Sequence, residues 1–202
     1  KEWKGALISS TDVFLMAWTT TPWTLPSNLG LAVGSNIDYV LIKTFNPYTF
    51  EPINIIVAKA LVLQYLKPEN ENGNFTDYTP DSKNIPWKIL KEFKGHYLAT
   101  LQYEQLLPFE ANSIKKIREI TPEADPFKIV IADFVTTEDG TGIVHTAPAF
   151  GADDYKVGQK YRLGILTLVD REGKFIDGVG EFSNRYVKNY KKKKEYTDVN
   201  VD

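Results

Sequence analysis

The sequence predicts an α+β, β-rich fold, a closed or nearly closed β-barrel with helices at its margin. Three observations carry this. Aromatic residues make up 13% of the 202 residues, and such side chains suit pleated, half-buried surfaces. Short apolar or β-branched runs recur along the chain with turn residues between them, helped by 11 Pro and 13 Gly. Only two stretches show apolar residues at helical spacing, so helices are too few to build the core.

Taken in order, residues 12–19 (Asp-Val-Phe-Leu-Met-Ala-Trp-Thr) form a nearly continuous apolar run, short enough for a buried strand. The next stretch, Thr19-Thr20-Thr21-Pro22-Trp23-Thr24-Leu25-Pro26-Ser27-Asn28, carries two prolines that disfavour a helix. Leu29 to Val33 and Tyr39 to Phe45 read as strands joined by a hairpin-like Gly34-Ser35-Asn36 turn, and Ile53 to Val57 adds another. Ala58 to Leu66 has helical spacing and stops before Pro68. Residues 69–86 are polar and aperiodic, an exposed loop or insertion.

Trp87 to Leu101 alternates around Gly95, which predicts a strand, a tight turn and a second strand, with His96 as a surface or turn histidine. Asn112 to Ala124 reads as a polar loop or strand edge. Phe127 to Phe134 contains consecutive Ile129-Val130-Ile131 and is a strand. A strand is also expected over Ile165 to Val169, before the turn at residues 171–174. Lys191 to Lys194 read as a solvated tail or the start of a connecting helix, with a specific RNA contact as the alternative.

Composition removes several kinds of chemistry. With no Cys there is no disulfide, no thiolate nucleophile and no cysteine-held metal. The two histidines, His96 and His145, are too few and too far apart for a histidine metal site, so a metal-free mechanism is expected. A net charge of −2 argues against a free-standing nucleic-acid binder. No apolar run approaches the roughly 20 residues that cross a bilayer. The chain begins at Lys1 with no leader pattern, so a segment excised from a longer polypeptide is expected.

Two stretches carry candidate chemistry. Residues 140–155, Gly-Thr-Gly-Ile-Val-His-Thr-Ala-Pro-Ala-Phe-Gly-Ala-Asp-Asp-Tyr, read as a short strand, a kinked loop and a helix start. His145 leaves the strand as the loop begins, and Asp154 lies beyond the bend, where the loop can turn its carboxylate back toward the imidazole. Equally open is a plain connection in which Asp153 or Asp154 caps the helix and His145 is satisfied in the core. In residues 19–28 the hydroxyls either hold a water or a sugar hydroxyl, or satisfy their own backbone.

Taken together, Ala17-Trp18-Thr19-Thr20-Thr21-Pro22-Trp23-Thr24-Leu25-Pro26-Ser27-Asn28 and Gly140-Thr141-Gly142-Ile143-Val144-His145-Thr146-Ala147-Pro148-Ala149-Phe150-Gly151 closely resemble the editing domain inserted into isoleucyl-tRNA synthetase. The resemblance spans nearly the whole chain, least so in residues 69–86. It implies one editing domain over residues 1–202, removed from a synthetase core. It also implies hydrolysis of valine from the isoleucine tRNA, with valyl-adenylate as a second substrate. A missing methylene costs a binding pocket only about 1–3 kcal/mol, a magnitude for which this very enzyme is the usual illustration, so a second, size-excluding pocket is needed.

By the same resemblance, Asp154 holds the substrate ammonium and His145 limits the pocket beside the amino-acid side chain. Thr19, Thr20 and Thr21 hold the terminal ribose and the attacking water, Asn28 supports them, and Trp23 stacks on the terminal adenine. The implied partners are the 3′ end of the isoleucine tRNA carrying valine and the rest of the synthetase in cis, acting as a monomer in the cytoplasm without a membrane. No cofactor is implied for this domain, ATP and magnesium belonging to the parent enzyme. Two alternatives remain at this stage. One is the related domain of the valine enzyme, which removes threonine; the other is a non-catalytic barrel that binds tRNA or protein.

Overall fold

The computed structural model describes residues 12–80 and 82–188; the lysine run at 191–194 lies outside them. The chain forms two compact units. The described residues up to Trp18, with Val33–Tyr97 and Asp133–Ile143, make the first; Thr19–Ala32, Leu98–Ala132 and the residues from Val144 make the second. No helix among the described residues is long and apolar enough to cross a membrane.

The first unit is built on a four-stranded sheet. Its strands are β1 (Val13–Leu15), β3 (Asp38–Phe45), β4 (Pro52–Ala58) and β5 (Lys88–Lys94), in the order β1-β4-β3-β5. β3 and β4 pair antiparallel with Leu41 opposite Ile56, and β1 runs parallel to β4. Alternate side chains of β3 and β4 therefore share a face. Val40, Ile42, Ile55 and Val57 bury there against Trp87 and against Val62 of the one-turn helix α1 (Val62–Tyr65). Gly142 lets the chain pass over this sheet. Its φ is +73°, a Cβ there would lie 2.5 Å from that of Ala58, and its carbonyl accepts a 2.6 Å bond from the Tyr39 hydroxyl.

A second sheet contains β2 (Gly30–Val33), β6 (Lys128–Ile131) and β7 (Ile143–Thr146), in the order β6-β2-β7. In the second unit this sheet is joined by two helices, α2 (Ile114–Ile120) and α3 (Ala152–Tyr161). Helix α3 has Gly151 at its N-cap position, and its first turn carries Asp153 and Asp154. Neither carboxylate is the cap, contrary to that reading of the sequence.

The α+β, sheet-rich class is the observed one, but neither sheet closes into a barrel. Sheet one ends at β1 and β5, sheet two at β6 and β7. Two of the expected strands do not form. After Gly95 the chain enters a 3₁₀ turn (Gly95–Leu98), because the Gly95 and His96 amides bond to Ile37 and Ser35 carbonyls instead of continuing a ladder. Residues 165–169 contribute only an isolated bridge, Val169 with Phe175.

Other expectations also change. Residues 114–120 are helical, capped by Ser113, whose hydroxyl accepts from the Lys116 amide, with Ile117 buried. The expected buried strand at 12–19 is a three-residue edge strand with Phe14 and Trp18 about half exposed. The proline-rich stretch is not extended: Pro22–Ser27 forms a 3₁₀ helix, since proline's fixed φ suits that geometry and Pro22 sits where no amide is needed. The described residues between 69 and 86 are largely irregular as expected, although Tyr78 stacks on Phe45 at 4.1 Å.

Candidate active site

The two signature stretches meet in the second unit, at His145. Its imidazole is 6% exposed, and both ring nitrogens are engaged. Nε2 lies 2.9 Å from the Thr24 hydroxyl, and Nδ1 lies 2.8 Å from the Asn28 amide nitrogen.

The neighbours fix where the protons are. The Asn28 side-chain nitrogen donates to the Gly30 carbonyl at 2.8 Å, while Asn28 Oδ1 accepts from the Tyr103 hydroxyl. That orients the carboxamide, so its second N–H points at His145 Nδ1, which must accept. The ring proton is then on Nε2 and is donated to Thr24 Oγ1. Thr24 in turn donates its hydrogen to the Thr21 carbonyl at 2.8 Å. Every donor in the series Tyr103–Asn28–His145–Thr24–Thr21 has one acceptor. Burial pushes the imidazole pKa down to about 4, in keeping with a neutral ring.

Other bonds hold the threonine turn. The Thr24 and Asn28 amides donate to the Thr21 and Leu25 carbonyls, at 2.9 and 3.0 Å. Asn112, buried, donates to the Pro26 carbonyl at 2.7 Å and to that of Leu107 at 2.8 Å. Thr19 is half-buried and its hydroxyl accepts from the Thr21 amide at 3.1 Å. Thr20 and Thr21 are exposed, and the Thr21 hydroxyl stands 3.5 Å from that of Thr24. The hydroxyls of Thr19 and Thr24 thus serve the backbone of their own turn, while Thr20 and Thr21 stand at the surface.

Asp154, half-buried, turns back onto the loop just past the imidazole, where Oδ2 accepts from the Ala147 amide at 2.9 Å. This bond is to the loop backbone and not to the imidazole. Desolvation raises its pKa; the Ala147 amide works against this and the neighbouring Asp153 charge adds to it. Trp23, half-buried, meets Phe150 edge-on at 5.2 Å between centroids, with the Lys188 ammonium 5.7 Å from its ring centre. Its indole nitrogen and the Thr146 hydroxyl are buried without a hydrogen-bond partner.

Nearby, Pro148 and Tyr155 line a cavity of about 420 Å³ with Gly158, Gln159 and Arg162, but Thr19, Thr20, Thr21 and Thr24 do not. Thr24, Tyr103 and Asn112 escaped the sequence reading. Thr24 stands inside the quoted motif with nothing to single it out from its neighbours, whereas Tyr103 and Asn112 carry no local signal at all.

In fold, the chain is similar to the editing domain of the cytosolic leucyl-tRNA synthetase of P. falciparum. The form of that domain with deletions of insertions 1 and 3 superposes with a TM-score of 0.52 at 17% identity, covering 83% of this chain and 59% of that one. The undeleted domain gives 0.50 at 18% identity, covering 77% and 48%. The fold is therefore that of the synthetase editing domains. No protein-family model matches the chain.

In sequence, the chain is 46% identical over 187 residues to the isoleucine–tRNA ligase of Cytophaga hutchinsonii, covering 88% of this chain and 16% of that protein. It is 45% identical over 175 residues to that of Clostridium tetani, covering 87% and 14%. The Treponema denticola ligase is 40% identical over 189 residues, covering 93% and 16%. The chain thus spans a small part of each of these relatives' length. It belongs to the isoleucine–tRNA ligase family, as a segment with the editing-domain fold.

Proposed function

We propose that this segment hydrolyses valine from wrongly charged isoleucine tRNA, and valyl-adenylate by the same pocket, using a positioned water. The observation that carries the reading is the joining of the threonine turn to the histidine strand end through Asn28–His145–Thr24. Two motifs whose roles are complementary thus share one small network.

The chemistry follows from what each group has left to offer. His145 has no free nitrogen, so it is neither a base nor a charge; it serves as a rigid wall beside the substrate side chain. Asp154 bonds the Ala147 amide through one oxygen and is partly desolvated, a state that an ammonium relieves. Thr20 and Thr21, both exposed residues, and Thr19, whose hydroxyl holds the Thr21 amide, take the ribose and the water, while Asn28 secures the turn from within. Trp23 offers its ring to the terminal adenine. Rate enhancement comes from placing the water and the ester together.

A ligase carrying this segment, given tRNA charged with valine or with isoleucine, is expected to hydrolyse the valyl ester and spare the isoleucyl one. Equal cleavage of both, or none of the valyl ester, would sink the reading.

A further inference from the structure

We propose that Tyr103 is a positioning residue for the threonine turn, acting through Asn28, and that its hydroxyl selects the His145 tautomer from which that turn is hung. This rests on the reading of residues 19–28 as the hydrolytic loop.

The Asn28 carboxamide has two orientations of nearly the same shape, and the imidazole responds to whichever is present. In the observed one the amide nitrogen faces Nδ1, so the ring proton sits on Nε2 and goes to Thr24. Thr24 keeps its own hydrogen for the Thr21 carbonyl. With the amide reversed, Oδ1 would face Nδ1 and draw the ring proton there. Nε2 would then need a donor, and Thr24 could supply it only by releasing Thr21. One amide flip therefore reaches the backbone at the start of the turn.

Two groups hold the amide in place. The Gly30 carbonyl can only accept, and the Tyr103 hydroxyl, which could take either role, spends its hydrogen on Asn28 Oδ1. The Tyr103 ring is itself fixed, its amide bonding to the Phe127 carbonyl at 2.9 Å and its edge meeting the Phe127 ring. Removing the hydroxyl leaves Gly30 alone to set the orientation, against an imidazole that accepts either.

Because the chain has only two histidines, histidine-selective nitrogen NMR reads His145 directly. The parent chain is expected to show the Nε2–H form. Tyr103→Phe is expected to show a mixture of tautomers, and Asn28→Asp to move the proton to Nδ1 or to charge the ring. In a full-length ligase carrying the segment, Tyr103→Phe should lower kcat for valyl-tRNA hydrolysis roughly three- to tenfold, the scale of one hydrogen bond, with KM unchanged.

A pure Nε2–H form in Tyr103→Phe would overturn the proposal, as would a tautomer shift that leaves kcat untouched. If the parent ligase leaves valyl-tRNA intact, the hydrolytic reading and the positioning role fall together. The tautomer comparison then still decides whether Tyr103 sets the ring's protonation.

Discussion

Asn28 and His145 lie 117 residues apart in the chain and share a 2.8 Å hydrogen bond from the carboxamide nitrogen to imidazole Nδ1. That bond requires Nδ1 to be unprotonated. A second ring proton would face an N–H donor inside a nearly closed setting, so the network tolerates only the neutral ring.

The first prediction concerns pH. The folded pKa of His145 is pushed down to about 4 from an ordinary value of 6.5, so folding favours the neutral form. The associated stability is fully present above pH 6.5 and drains away as pH falls toward 4, about 3 kcal/mol in all. An NMR titration should place the His145 midpoint near 4, and His145→Gln should flatten the stability curve between those limits. A midpoint at or above 6 would contradict the network.

The second separates the charge of Asp154 from its hydrogen bond. Asp154→Asn keeps an oxygen for the Ala147 amide but loses the charge that would hold an ammonium. Because the fold raises this carboxyl's pKa, the ionised form is a net cost at neutral pH, and stability from this group is lost as pH rises through that pKa. Asp154→Asn should therefore be as stable as the parent or slightly more so. Hydrolysis of valyl-tRNA in the ligase should drop roughly 10- to 100-fold, the scale of a hydrogen bond to a charged group. Unchanged hydrolysis would remove Asp154 from the ammonium role.

Where local chemistry dictates conformation, the sequence was legible. β3 and β4 follow from β-branched runs, and the strand–loop–helix at 143–161 follows from its Gly and Pro punctuation; the Gly34-Ser35-Asn36 turn forms but makes no hairpin, because β2 and β3 belong to different sheets. Helix α2 was hidden because three isoleucines lower helix propensity and basic residues filled the space between them; Ser113 and the Ile114-Ile117-Ile120 spacing were the overlooked signals. The candidate site was legible only in its motifs. Tyr103 and Asn112 reach the threonine turn through tertiary structure, and nothing in their neighbours in sequence announces it.

The third prediction lies in the first unit. The Tyr39 hydroxyl is buried, donates to the Gly142 carbonyl at 2.6 Å and accepts from the Gly34 amide at 3.0 Å. Burial pushes its pKa up to about 12, despite the opposing Gly34 bond. Tyr39→Phe leaves both backbone groups unpaired and should cost about 1–3 kcal/mol by urea unfolding. A loss below a few tenths would mean that water replaces the hydroxyl.

The fourth tests whether the threonine turn is held from behind. Asn112 is 1% exposed; its nitrogen donates to the Pro26 and Leu107 carbonyls, and its oxygen accepts from the Phe109 amide at 2.7 Å. Asn112→Asp keeps the shape and the acceptor but turns two donated bonds into contacts between a carboxylate and two carbonyls. The loss should be about 3 kcal/mol or more at neutral pH, larger than most single hydrogen-bond deletions. It should shrink as pH falls, because the protonated carboxyl recovers one donor. Asn112→Ala, which leaves the carbonyls unpaired but not opposed, should be less damaging at neutral pH. If the two variants unfold at the same urea concentration across the pH range, the side-chain nitrogen is not what anchors Pro26.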